Sequence, residues 1–420
     1  MEILSTGEKI KRARIYKGVT LKELCGEKIS ISKMSCIENG KIKADEDVLK
    51  FIADKLDIDF EYLVQDVYEQ ISNNLNAIRN KVIPEDEIEN VIDYNLEFAK
   101  KYNFYQLAFD LTHILFSYYL EKNKIENIQI LISKYYEIYQ NTCCKDNILV
   151  YYNDMATLFD KTCEYNEAIN YYKRLRLIIE EDEIGTKKQY IYACFHEAVC
   201  YKNINNIEKA YELLKKILKF VDEFTGDKDK GEFYHEFAII NILLHKVEAE
   251  KYIELSYEYQ KDNKIALANS KERNGKCYFE IGENDKALTE IEEGISIFPK
   301  NNKHEYCEFL INCIATLYEN QELEKASNII EEALNLSIDL EEDKLIEKAY
   351  YYKGMIYQKQ GQYFQAEMYM NLATDLLLRD ATKDQKYKRY NEMALLYYNL
   401  KEYKESIKYF TLAMNIEKRL

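Results

Sequence analysis

Only two prolines and twelve glycines occur in 420 residues, so the chain has little of the punctuation that hairpins and long loops need. That scarcity argues against a strand-rich fold and points to helices joined by tight turns. Also missing is any run of about eighteen apolar residues, which excludes a membrane-spanning helix. The first stretch, MEILSTGEKIKRARIYKG, has no apolar signal-peptide core. A soluble cytoplasmic protein with no membrane partner is expected, and 47% apolar content with 39 Tyr supplies ample core.

The usual chemical motifs are absent too. Histidines number five, and HEAVC (196–200) and HEFAIINILLH (235–245) both lack the H-E-x-x-H spacing that sets two imidazoles on one helical face. His196, His235 and His245 therefore read as core or surface helix residues. No phosphate loop and no G-x-S-x-G elbow occurs. Among ten cysteines, Cys143 and Cys144 are adjacent, while Cys194/Cys200 and Cys307/Cys313 are six apart. None forms a C-x-x-C pair with histidine partners, so they read as reduced core cysteines. No enzyme, cofactor or metal site is expected.

Charge is unevenly placed. The formal net charge is −16, yet residues 1–43 carry about ten Lys and Arg against about five Asp and Glu. A basic head on an acidic body fits a small nucleic-acid module joined to something else.

Helix signals follow closely in that head. Residues 5–17 are amphipathic and Gly18 ends them; Thr20 with Glu23 makes a capping box for a helix from Leu21 to Glu27. Ser30 caps a third helix from Ile31 to Asn39, stopped by Gly40. Two more helices, Asp45–Lys55 and Phe60 onward, complete five. With R-x-x-K-G-x-T at Arg14–Thr20 and I-E-N-G at Ile37–Gly40, residues 5–65 resemble the helix-turn-helix domain of the phage-repressor (XRE) family. The resemblance implies that Arg14 and Glu38 form a buried pair and that the start of the third helix meets DNA through Ser30, Ile31, Ser32, Lys33 and Cys36. Physically, Lys33 suits a guanine edge, Ser32 either base type and Ile31 a thymine methyl, while Lys41 and Lys43 beside Gly40 suit phosphates. Leu21 stands where that family often has glutamine, so affinity is expected to lean on a homodimer.

From about residue 104 the sequence repeats. Ile128, Ala168, Ala210, Ala249, Ala287, Ala326, Ala366 and Ser406 recur about every 40 residues. Each is followed four positions later by an apolar residue (Ile132, Tyr172, Leu214, Ile253, Ile291, Ile330, Met370, Phe410), so one helical face is expected to be buried each time. Twelve positions upstream stand Ala156, Ala198, Gly275, Gly354 and Ala394, with Phe116, Phe237 and Ile314 as bulkier versions. Small residues at both places let antiparallel helices approach closely. GMIYQKQGQYFQAEMYMNLA (354–373) and ALLYYNLKEYKESIKYFTLA (394–413) resemble tetratricopeptide repeats.

The expected fold is all-α, a helix-turn-helix head (1–65), a connecting helix and first body helix (66–103), and a right-handed tetratricopeptide solenoid (104–420). Head and repeats together are similar to the RRNPP group of peptide-pheromone receptors of Gram-positive bacteria. That resemblance implies a quorum-sensing transcriptional regulator that binds promoter DNA and is controlled by a short signalling peptide. The alternative is an anti-activator or scaffold whose repeats grip a folded regulatory partner.

An extended peptide needs partners for its backbone, and one asparagine carboxamide can serve both groups of a residue. By helical phase, Asn153, Asn241, Asn269 and Asn391 fall on the inner face of the first helix of a unit. Asn312 joins them if Ala315 rather than Ile314 sets the register. Lys202, Lys276, Lys348 and Glu272 share that surface.

Overall fold

The computed structural model describes residues 3–142, 144–181 and 184–417. All regular structure among them is helical. The chain falls into two compact units, Met1–Ile204 and Asn205–Leu420.

In the first unit, α1 (Thr6–Tyr16), α2 (Leu21–Cys25), α3 (Ile31–Glu38), α4 (Glu46–Leu56) and α5 (Phe60–Val64) enclose one core of Ile10, Leu24, Met34, Ile37, Ile52, Leu56 and Leu63. Local chemistry sets their ends. The side chains of Ser5, Thr20, Ser30 and Asp45 each accept a hydrogen bond from the first turn of their helices, with full capping boxes at Ser5–Glu8 and Thr20–Glu23. The second helix is two residues shorter than expected because Gly26, at φ 53°, ends it. A second core is built on α6 (Val67–Arg79), α7 (Ile88–Lys101), α8 (Tyr105–Glu121), α9 (Ile125–Gln140) and α10 (Asn147–Lys161). Then come α11 (Tyr165–Glu181) and α12 (Lys187–Asn203).

The second unit begins with α13 (Ile207–Ile217) and a short 3-10 segment, Leu218–Glu223. Antiparallel pairs follow: α14 (Asp227–Leu243) with α15 (Ala249–Gln260), α16 (Lys264–Glu280) with α17 (Asn284–Ile297), and α18 (Lys303–Glu319) with α19 (Leu323–Asp339). The last two pairs are α20 (Asp343–Lys359) with α21 (Tyr363–Asp380), and α22 (Lys383–Asn399) with α23 (Tyr403–Glu417).

The twelve-residue pairing of small positions is physical. A Cβ on Gly275 would stand 2.7 Å from Ile291 Cγ1 and 3.0 Å from the Ala287 carbonyl, and one on Gly354 would stand 2.7 Å from Met370 Cγ. Ser406 Oγ donates to the Ala394 carbonyl at 2.8 Å. All eight marker residues are buried, but the partner four positions on is not always so. Phe410 is 45% exposed and Ile132 only half-buried, Leu131 taking its place in the core.

The turn between helices is itself a repeat. Asn123, Cys163, Asn205, His245, Gly282, Gln321, Gly361 and Lys401 all have φ between 51° and 80°. In several, two backbone bonds close the helix end, as where Lys401 N–H reaches the Tyr398 carbonyl and Glu402 N–H the Tyr397 carbonyl. At seven of the eight the marker residue lies five positions on; α15 starts late, so Ala249 lies four from His245.

No helix among the described residues is long and apolar enough to cross a membrane. Cys25, Cys194, Cys200, Cys277, Cys307 and Cys313 are buried. Cys144 and Cys163 are exposed, which corrects the expectation that the cysteines are core residues: both sit in interhelix connections with no packed face. Cys143 lies outside the described residues.

Candidate functional site

The end of α3 is fixed by ion pairing and close backbone approach. Arg14 grips Glu38 through Nε–Oε1 at 2.6 Å and Nη2–Oε2 at 3.0 Å, and its Nη1 donates to the Val19 carbonyl at 3.1 Å. This is the pair that the family resemblance implied, and Glu38 is 5% exposed. Gly7 of α1 is pressed against the same turn, where a Cβ would meet the Ile37 carbonyl at 2.3 Å. Such a contact forbids any side chain. It was invisible in the sequence, because a glycine near a helix start reads as a cap.

With its C-terminal end so held, α3 presents its start to solvent. Ser30 caps it, accepting from the Lys33 N–H at 3.2 Å. Ile31 and Ser32 are exposed, Lys33 and Cys36 half-buried, and Lys41 and Lys43 exposed beyond Gly40. Lys33 Nζ rests 3.4 Å from Asp45 Oδ2. Both side chains are well solvated, so the pair is weak and exchangeable.

The head is also tied to the helices that follow it. Lys9 is 1% exposed, and its Nζ donates to the carbonyls of Tyr62 and Gln65, both at 2.6 Å. Burial lowers its pKa against the raising fields of Glu69 and Asp66. Gln70 of α6 donates to the Leu4, Gln65 and Asp66 carbonyls and accepts from the Leu4 N–H. Ile3, 2% exposed, belongs to the second core rather than the head's own. A lysine and a glutamine read as surface residues in sequence; only tertiary placement reveals them as ties.

In the repeats, cavities open along the first helix of successive pairs. One of about 600 Å³ in the first unit is lined by His113, Asn153, Asp154, Thr157, Tyr172 and Tyr192 among others. Buried Asp154 accepts on one oxygen from the Tyr135 hydroxyl and pairs with His113 Nδ1, each at 2.7 Å. Burial alone depresses the His113 pKa, but the hydrogen bond and charge of Asp154 outweigh it and leave it raised.

In the second unit a cavity of about 380 Å³ is bounded by Glu232, His235, Gln260, Asn269 and Arg273. Here the protonation of His235 follows from its partners. Nε2 faces the Ser270 carbonyl at 3.1 Å and must donate; Nδ1 faces Arg273 Nη1 at 3.2 Å and must accept. His235 is thus a neutral imidazole. A third cavity, about 230 Å³, draws on α18, α20 and α22, with Asn312, Glu347, Lys348, Tyr351, Arg389 and Glu392 on its walls.

The expected asparagines divide. Asn153, Asn269 and Asn312 are exposed and each lines one of these cavities. Asn312 does so although Ile314, 0% exposed, and not Ala315 sets the register. Asn391 is half-buried, and no cavity described above includes it. Asn241 is not on an open face. It is 1% exposed and its Nδ2 is bound to the Phe237 carbonyl of its own helix at 2.6 Å. The reason is that α14 is buried over every residue from His235 to Ile242, so helical phase alone does not separate groove from core there. Glu272 accepts from the Thr316 hydroxyl at 2.7 Å, Lys276 and Lys348 are exposed, and Lys202 is half-buried.

A tetratricopeptide repeat model matches residues 387–419. Response regulator aspartate phosphatase E of Bacillus subtilis (strain 168) is 26% identical over 239 residues, covering 52% of this chain and 62% of that protein, so less than two thirds of the relative is spanned. The apo quorum sensor NprR from B. thuringiensis shares 16% identity at a TM-score of 0.48, over 84% of this chain and all of that one. PlcR of Bacillus thuringiensis, solved in complex with a peptide and DNA, shares 17% identity at a TM-score of 0.35, over 61% of this chain and 94% of that one. Residues 387–419 thus match a tetratricopeptide repeat, and the helix pairs before them share its all-α architecture.

Proposed function

We propose that the protein is a peptide-responsive transcriptional regulator, reading promoter DNA with α3 as a homodimer and binding a short signalling peptide along the first helices of its repeats. The observation that carries this reading is the head itself. A capped, solvent-facing helix start with Ile31, Ser32 and Lys33, followed at once by exposed Lys41 and Lys43, sits on a chain of net charge −16. Local positive charge kept on so acidic a protein suits contact with phosphates. Exposed Asn153, Asn269 and Asn312 in cavities suit the backbone of an extended peptide.

The test retrieves sheared genomic DNA on the full-length protein, with and without synthetic peptides encoded beside its gene. Related half-sites in the recovered fragments are expected, and peptide should change their yield. Lys41→Ala and Lys43→Ala should each flatten the salt dependence by about one unit of slope. No sequence preference at low salt would overturn the DNA reading. The similarity over half the chain to a response regulator aspartate phosphatase favours one second reading, in which the repeats hold a folded response-regulator partner. Failure to select DNA combined with capture of such a partner would decide for it.

A further inference from the structure

Arg389 of α22 is a charged side chain with donors to spare. It is 5% exposed. Nη2 donates to Glu347 Oε1 at 2.6 Å, and the guanidinium carbon lies 4.6 Å from the centre of the Tyr351 ring. Glu392 cannot complete the set: its Oε1 accepts from the Tyr351 hydroxyl at 2.9 Å, and its Oε2 stands 3.4 Å from Arg389 Nε, beyond a normal hydrogen bond. Nε and Nη1 consequently have no hydrogen-bond partner. A buried donor left so is costly, and arginine offers no second tautomer to relieve it.

The residue that carries these donors borders a cavity. Arg389 is one wall of the space of about 230 Å³ shared by α18, α20 and α22. Lys348 and Lys388 line the same space, both exposed and without an ion pair among the described residues. Against these three cations stand Glu347 and Glu392, leaving one positive charge in excess. At that size the space suits the end of a chain rather than a whole small molecule, whose sites run from about 300 Å³ upward.

We propose that this cavity is a carboxylate subsite, in which Arg389 Nη1 and the ammonium groups of Lys348 and Lys388 receive one carboxylate of the bound ligand. A planar carboxylate matches the guanidinium edge, and a charge-assisted bond there is stronger than a neutral one. The assignment rests on the peptide reading above, and the carboxylate is then the peptide's C-terminus or an acidic side chain.

Full-length protein is equilibrated with four matched pools of randomised heptapeptides: free-acid or C-terminally amidated, each with or without Asp and Glu. Retained peptides are counted by mass spectrometry. About tenfold better retention of the free acids in the pools lacking Asp and Glu supports a C-terminal carboxylate. Equal enrichment of acidic residues in the amidated pools supports a side-chain one. Either preference should vanish in Arg389→Gln and shrink in Lys348→Ala/Lys388→Ala, whose exposed positions leave folding intact. Peptide retention with no preference for any carboxylate overturns the subsite while leaving the peptide reading standing. If no pool is retained, the peptide reading falls. N-acetylglycine alone then decides the subsite by the ¹⁵N side-chain resonances of arginine: a saturable shift absent in Arg389→Gln supports it, and none overturns it.

Discussion

Lys9 donates to the Tyr62 carbonyl at 2.6 Å from a position almost sealed from water. With the Gln65 carbonyl on the same ammonium, one lysine closes the C-terminal end of α5 and joins the head to the chain after it. Lys9→Met keeps the stem's packing, strands the Tyr62 carbonyl and leaves the Gln65 carbonyl with the Gln70 amide alone. A loss of about 1–3 kcal/mol per stranded group is expected, read as a lower urea midpoint of the first unit. A midpoint equal to wild type would mean that water replaces the ammonium freely.

Gly7→Ala separates helix propensity from packing. Alanine is the better helix former by about 1 kcal/mol, yet its Cβ would overlap the Ile37 carbonyl. The head should lose stability, and promoter binding should fall with it while peptide affinity persists. A more stable variant would show that α1 and α3 can part at little cost.

Among the asparagines, position decides the outcome. Asn153→Ala, Asn269→Ala and Asn312→Ala remove exposed carboxamides, so thermal unfolding should barely move. Peptide affinity should weaken by about 1–3 kcal/mol in each that grips backbone. Asn241→Ala should do the reverse, since its amide serves its own buried helix. Calorimetric titration with one active peptide beside a melting curve distinguishes the patterns; identical affinities for all three exposed variants would remove the asparagine clasp.

The His113–Asp154 pair sets a pH dependence with a definite sign. Because the folded pKa is raised above the ordinary 6.5, folding favours the protonated imidazole. The pair's stabilisation is complete below 6.5 and is lost as pH rises through the folded value. Wild type should therefore lose stability relative to His113→Gln on going from about pH 6 to about pH 9, and Asp154→Asn should abolish the difference. A flat difference across that range would place no proton on His113.

Much of this was legible. The repeat period, the small positions at Gly275 and Gly354 and the Ser30 cap follow from local rules, the Arg14–Glu38 pair follows from the family resemblance, and each was found where expected. What escaped depends on several elements at once. Lys9, Gln70 and Arg389 are polar residues that the sequence marks as surface, and only the meeting of helices distant in the chain buries them. Asn241 misled because phase on one helix ignores how many neighbours surround it. Phe410 misled because periodicity marks a face without saying how much of it is covered, and this ring is 45% exposed.

The left-handed turns bear on how this sequence can change over generations. Six of the eight hold a residue with a Cβ where glycine fits more easily, at a cost of about 1 kcal/mol each. The backbone bonds that close each helix end ask nothing of the side chain, so asparagine, cysteine, histidine, glutamine and lysine can all stand there. These turns are accordingly where a hardier form of the protein lies within single substitutions, Gln321→Gly and Lys401→Gly first, with neither the head nor the inner face disturbed.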